Sequence, residues 1–163
     1  MIAERFLFLC GDVFLMKQLR KDEIKKLDMT IEERYGVTRL SKKDRVAIAD
    51  NIISVNDSAD FFLLDDVPVP TLRSLLRENF LKSITVDMGA VRFMTNGADV
   101  MRPGVISIDE SIKKDDVVSV VDEKNKKPLC VVVALFDGPE MAAMKDGKIA
   151  RNIHHVGDKV WGA

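Results

Sequence analysis

The chain has 163 residues, of which 47% are hydrophobic and 31% charged, and its formal net charge is −1. That composition belongs to a folded, water-soluble protein with room for one good core or two small ones sharing an interface, and it excludes disordered and fibrous classes. No apolar run reaches the roughly 18 residues of a membrane-spanning helix. Up to position 81 the chain carries 13 basic and 14 acidic residues, and after it 12 of each. Neither half is basic enough for non-specific coating of nucleic acid, which leaves room for a local patch on a balanced surface.

The apolar segment Phe6-Leu7-Phe8-Leu9-Cys10 follows Arg5 and has the outline of a secretory leader, but Gly11-Asp12 interrupt it after five residues. A first strand over Phe6–Leu9, a poorly ordered start, or a true start at Met16 are the other readings. Cys10 and Cys130 sit in apolar surroundings without ligand spacing to a further Cys or His, so neither a disulfide framework nor a zinc site is expected. The chain reads as cytoplasmic, with no cofactor.

Asp22 is the expected N-cap of a helix over Glu23–Tyr35, whose core face is Ile24, Leu27, Ile31 and Tyr35 and whose stop is Gly36. Short strands are expected over Val46–Ala49, Ile52–Val55 and Phe61–Leu64, separated by Asp50-Asn51 and Asn56-Asp57-Ser58, which is turn chemistry for a meander. Val67-Pro68-Val69-Pro70 is extended because each proline biases its predecessor away from helix. Pro70 and Thr71 compete to open a short helix through Leu72, Leu75 and Leu76 to about Asn79, a connector packed on both sides.

The second half alternates strands and turns. Strands are expected over Ile84–Asp87, Val105–Ile108, Val117–Val121, Leu129–Phe136 and Lys148–Asn152. A short helix falls at Gly89–Met94, closed by Asn96-Gly97, the stretch Ala142–Met144 is open, and Lys159–Trp161 closes the chain. Five or six short strands in about 80 residues read as a small, nearly closed barrel.

The segment from Thr85 through Asp87-Met88-Gly89-Ala90-Val91-Arg92-Phe93 and Asn96-Gly97-Ala98-Asp99-Val100-Met101-Arg102-Pro103-Gly104 to Val105 carries most of the chemistry. Gly89, Gly97 and Gly104 permit positive φ or close backbone approach. A helix start beside an exposed loop offers N–H groups to phosphate, and Arg92 and Arg102 offer charge-assisted bonds. The competing reading makes the glycines tight corners and the arginines solvated side chains. No Gly-Lys-Ser/Thr ending of a nucleotide loop is present.

Thr85–Val105, together with the ending Lys148-Ile149-Ala150-Arg151-Asn152-Ile153-His154-His155-Val156-Gly157-Asp158-Lys159-Val160-Trp161, resembles the PUA domain, named for pseudouridine synthase and archaeosine transglycosylase. The likeness is closer to the two-domain malignant-T-cell-amplified-sequence and translation-machinery-associated family with its archaeal relatives, whose inter-domain motif Pro70-Thr71-Leu72-Arg73-Ser74-Leu75-Leu76 also resembles. The resemblance implies a mixed α/β (α+β) fold. A small N-terminal helix-plus-β-meander domain would span 1–81, with its connector near 70–79, and a C-terminal PUA-like β pseudo-barrel would span 82–163. It further implies that structured RNA is bound through Gly89, Ala90, Arg92, Gly97, Ala98, Met101 and Arg102, and on the last strand through Lys148, Arg151, His154 and His155. Transfer RNA or small-subunit ribosomal RNA in initiation or recycling, the small ribosomal subunit and a translation factor are the implied partners, and DNA is not expected.

The residues bear on these implications unevenly. If Arg151 points outward, strict alternation also turns Ile149 and Ile153 outward unless a bulge intervenes, and His154 reads equally as a structural hydrogen-bonding group. Adjacent histidines on a strand point to opposite faces, which argues against a metal pair. Trp161 reads as a core or lid residue, and Lys124, Lys126 and Lys127 as a solvated hairpin turn. Asp87 has no spaced His, Cys or Lys partner, so no catalytic set is expected. Sparse aromatics in the second half, Phe93, Phe136 and Trp161, favour recognition of an RNA helix by shape and phosphates. Reversal of Arg92 and Arg102 to Glu is expected to lower RNA affinity with the fold intact. The alternative is a protein–protein adaptor using an apolar face of Phe61-Phe62-Leu63-Leu64.

Overall fold

The computed structural model describes residues 15–163. The strand expected over Phe6–Leu9, Cys10 and the leader question therefore lie outside the described residues.

A two-residue strand β1 (Lys17–Gln18) leads into helix α1 (Lys21–Tyr35). Asp22 is not its cap. Arg20 occupies that position in extended conformation, and the Glu23 carboxylate reaches back to accept the Arg20 N–H at 2.8 Å and the Lys17 ammonium at 2.7 Å. Those hydrogen bonds hold the Glu23 carboxyl down at about 2. Ile24 and Ile31 are buried, Leu27 and Tyr35 pack against the same core, and Gly36 ends the helix at φ 71°.

Strands β2 (Val46–Ala49), β3 (Ile52–Val55), β4 (Ser58–Leu64) and β5 (Val67–Pro70) follow as an antiparallel meander in the order β1-β2-β3-β4-β5. Each tight connection is a pair of acidic or amide residues at positive φ: Asp50-Asn51, Asn56-Asp57 and Asp65-Asp66. A two-residue hairpin turn that matches strand twist demands positive φ at both positions, which Asn and Asp tolerate best after glycine. The third turn, between Asp65 and Asp66, converts Val67–Pro70 from the extended connector expected into a paired edge strand. Phe61 and Phe62 do not contribute to the apolar face expected of an adaptor, being 1% and 5% exposed, and only Leu63 and Leu64 of that segment are partly exposed.

Helix α2 (Leu72–Arg77) is capped by Thr71, whose Oγ1 accepts the Ser74 N–H at 3.2 Å and donates to the Ala59 carbonyl at 2.7 Å. Leu75 joins Phe62, Val69, Leu81 and Val131 in a buried cluster drawing on both sheets, so the connector packs on both sides.

The rest comprises β6 (Ser83–Val86), α3 (Val91–Thr95), β7 (Val100–Met101), β8 (Val105–Ile108), β9 (Val117–Asp122), β10 (Pro128–Ala134), α4 (Gly138–Ala143) and β11 (Lys148–His155). The strands form a six-stranded, nearly closed sheet in the order β7-β11-β10-β9-β6-β8, with β6 parallel to β9 and the other ladders antiparallel. Its core includes Ile84, Val86, Val118, Val120, Val132, Ile149 and Cys130, whose thiol burial pushes up to about 12. β7 was not anticipated, and α4 begins ahead of the stretch left open, overlapping it only at Ala142 and Ala143. At Gly138 a Cβ would lie 2.6 Å from the Asp109 carbonyl oxygen, so only glycine lets α4 start this close to the β8–β9 loop. After β11 the chain turns, and the Arg73 guanidinium lies 5.2 Å from the centre of the Trp161 ring, which makes that ring a lid against α2. Among the described residues no helix is long and apolar enough to cross a membrane.

Candidate nucleic-acid interface

Where β6 ends, Asp87 organises the corner. Its N–H donates to the Gly104 carbonyl at 2.9 Å, and its carboxylate accepts the Ala90 N–H at 2.9 Å while lying against Gly89 and Gly104. Asp87 is therefore a turn-builder. The Ala90 N–H is engaged within the loop, and the Met88 N–H reaches the Glu123 carboxylate at 3.2 Å. With α3 only five residues long and the Met88 and Ala90 N–H groups engaged, Gly89 and Ala90 act first as corner residues rather than as an open helix-start phosphate cradle.

Helix α3 leaves Arg92 exposed, with its guanidinium 5.6 Å from the centre of the 55% exposed Phe93 ring. The end of α3 is fastened to β11. The Asn152 side-chain amide donates to the Ala98 carbonyl at 3.1 Å, and the Asn152 N–H to Asp99 at 2.9 Å. At Gly97, with φ 89°, a Cβ would meet the His155 ring at 2.7 Å, so the imidazole lies directly on that glycine. β7 pairs with β11 so that half-exposed Met101 stands opposite Lys148. The Lys148 ammonium bonds Asp99 at 2.9 Å, and that bond is the main influence holding the Asp99 carboxyl below its ordinary value. One continuous rim thus carries Arg92, Phe93, Gly97, Ala98, Met101, Lys148, Arg151 and His155.

Besides Gly89 and Ala90, which form the corner, two more expected contact residues are not on that rim. Arg102 turns back into the fold, where Nε donates to the Met141 carbonyl at 3.0 Å, Nη1 to Val105 at 3.2 Å and Nη2 to Ala142 at 3.2 Å. Its guanidinium joins α4 to the Pro-Gly corner, which removes it as a phosphate ligand and makes its reversal to Glu a threat to the fold. His154 is fully buried. Its Nδ1 stands 2.8 Å from Asp158, and its ring meets Phe62 edge-on at 5.4 Å. Desolvation lowers the His154 pKa and outweighs the nearby carboxylate, so the ring is neutral with Nδ1–H donating to Asp158. Burial alone would raise the Asp158 carboxyl, but N–H bonds from His155 and Trp161, with that from His154, hold it below its usual range.

Irregularities in β11 explain this sorting. Pairing shifts register between Lys148 and Ala150 on one side and between Val131 and Val132 on the other. Lys148 and Arg151 emerge while Ile149, Ala150 and His154 are buried. Sequence reasoning missed Asn152, whose only early signal was its place in the closing motif, and the exposure of Phe93. Among the described residues no three His, Cys, Asp or Glu stand together as a metal site.

Residues 82–157 match the family model of the PUA domain. The chain is 43% identical to an uncharacterized protein of Methanocaldococcus jannaschii, over 91% of this chain and 93% of that one. It is 33% identical to malignant T-cell-amplified sequence 1-A of Xenopus laevis, over 88% of each. Against translation machinery-associated protein 20 of Schizosaccharomyces pombe it is 27% identical, over 83% of this chain and 76% of that one. Among solved structures, a hypothetical protein from Pyrococcus horikoshii superposes with a TM-score of 0.81 at 35% identity, covering 91% of this chain and 98% of that one.

Proposed function

The chain belongs to the malignant T-cell-amplified sequence family of PUA-domain proteins, and from that premise we propose that it binds structured RNA, without catalysing a reaction, in the translation apparatus of the cytoplasm. Transfer RNA or small-subunit ribosomal RNA is the target, during initiation or recycling. The observation that supports this most is the convergence of α3, β7 and β11, which sets Arg92, Arg151 and His155 beside the exposed Phe93 and Met101 on one rim. Cations hold phosphates and fix register, while the apolar groups offer surface to sugars and base faces. The N-terminal unit (residues 1–81) serves as the platform that docks the barrel onto the small subunit or a translation factor. Its connection through Leu75 and Val131 makes the two halves one body for that purpose.

The test is co-sedimentation with small ribosomal subunits from the same source, at low and moderate salt, with and without initiator transfer RNA. Arg92→Glu combined with Arg151→Glu lowers pelleting and its salt dependence, because both side chains are exposed. Pelleting that is indifferent to these reversals, to salt and to transfer RNA refutes the assignment.

A further inference from the structure

Beyond the rim, the turn between β9 and β10 presents Lys124, Lys126 and Lys127 to solvent. It is a built turn. The Asp122 side chain, 4% exposed, accepts backbone N–H bonds from Lys124 at 3.0 Å, Asn125 at 2.6 Å and Lys127 at 3.1 Å. Lys126 is held at φ 55°, a conformation unfavourable for a side chain with a Cβ. These bonds fix the backbone of the turn, so its three lysine side chains leave from a preset frame.

Its position adds to the argument. The parallel pairing of β6 with β9 sets Val86 opposite Asp122, so the lysine turn lies beside the Met88–Ala90 corner from which α3 departs. Two contacts join them: the Met88 N–H to Glu123, and the Lys126 ammonium to Thr85 Oγ1 at 3.5 Å, long enough to leave most of its donor capacity unused. On its other flank the turn borders a groove of about 390 Å³ with the end of α2, lined by Leu76, Arg77, Glu78 and Asn79, where Arg77 pairs with Asp60 and Glu78 with Arg39. The opposite end of β9 mixes the two signs, with Asp109, Asp115, Asp116 and Asp137 beside Lys82, Lys113 and Lys114, joined in the pairs Lys82–Asp116 and Lys113–Asp137. Six strand residues separate the two ends by roughly 17 Å, about two screening lengths at physiological salt. That mixed end therefore does little to offset the lysines.

We propose that the β9–β10 turn is a second phosphate-binding element, and that a bound RNA backbone runs from the α3 corner across Lys124, Lys126 and Lys127 towards α2. The inference rests on the RNA-binding reading of the α3–β11 rim and extends its footprint to the junction of the two halves. Three ammonium groups on a rigid turn suit a phosphodiester backbone followed by shape, and they carry no base specificity.

The test is the salt dependence of binding to unfractionated transfer RNA, compared between the full chain, Lys124→Gln/Lys126→Gln/Lys127→Gln, and Arg92→Glu/Arg151→Glu. Each neutralised phosphate contributes about 0.9 to the slope of log affinity against log salt. The lysine variant should therefore lower the slope by about 2 to 3 with an unchanged circular dichroism spectrum. If only the arginine variant lowers the slope, the turn is merely solvated and this inference falls while the rim stands. If neither variant changes it, the RNA-binding reading falls with it.

Discussion

Replacing Arg102 by alanine separates a structural arginine from an RNA-binding one. Its guanidinium makes three hydrogen bonds to main-chain carbonyls, those of Val105, Met141 and Ala142. A hydrogen bond involving a charged group contributes about 1.5–3 kcal/mol when sealed from water. The contact to Ala142 is solvent-exposed and the other two are part-buried, so water replaces part of what is lost. The expected cost of Arg102→Ala is about 2–4 kcal/mol. With a urea dependence of about 2 kcal/mol/M, the unfolding midpoint should fall by about 1–2 M at unchanged slope. Arg102→Lys recovers only a fraction, because an ammonium lacks the planar fork that reaches three carbonyls at once. A midpoint shift below about 0.3 M together with a shallower RNA salt slope would refute the reasoning, because it would mean that the guanidinium leaves the carbonyls for phosphate.

Two further outcomes follow from buried contacts. His154 has a folded-state pKa below its ordinary 6.5, so in acid the unfolded chain binds a proton that the folded one refuses. Stability should therefore fall as pH drops below about 6.5. Asp158, also depressed, adds its own loss only as pH falls below its unfolded value of 3.8. Urea midpoints at pH about 7.5 and about 5 should accordingly differ less in His154→Gln than in the parent, and an equal drop in both excludes His154 as the titrating group. Gly138→Ala forces a Cβ to within 2.6 Å of the Asp109 carbonyl oxygen and should cost about 1–3 kcal/mol, seen as a lower thermal midpoint. An unchanged or raised midpoint contradicts the close approach.

The meander was legible because its turns are local chemistry. Asp50-Asn51 and Asn56-Asp57 adopt positive φ in sequence-adjacent pairs, so β2 and β3 match their expected bounds, whereas β4 begins at Ser58 rather than at the expected Phe61. Asp65-Asp66 does the same and was passed over, because the prolines after it drew attention to extended chain rather than to an edge strand. The rim was legible only where exposure follows from the residue itself, as at Arg92. Arg102 was misread because its partners lie 39 and 40 residues away on α4, a helix with no strong periodic signal. His154 was left open between RNA contact and a structural hydrogen bond, and alternation from an outward Arg151 already turns it inward, whereas the bulge beside Lys148 buries Ile149 and Ala150 together.

A net charge of −1 looks unpromising for a protein that binds a polyanion, and the hydrogen bonds explain why the count misleads. Of the 12 acidic residues after position 81, nine accept a backbone N–H: Asp87, Asp99, Asp109, Asp116, Asp122, Glu123, Asp137, Glu140 and Asp158. Each is fixed at a turn, a helix start or a strand edge, where the N–H dipoles it accepts partly compensate its charge. By contrast Arg92, Lys124, Lys127 and Arg151 are exposed, and among the described residues none of them is in an ion pair. The acids of this half build its corners and the unpaired cations face outward, so surface potential departs from formal charge in the direction that RNA requires. Neutralising one of those corner acids, for instance Asp122→Asn, should therefore weaken the fold around its turn more than it strengthens RNA binding. That ordering is opposite to what a count of charges would give.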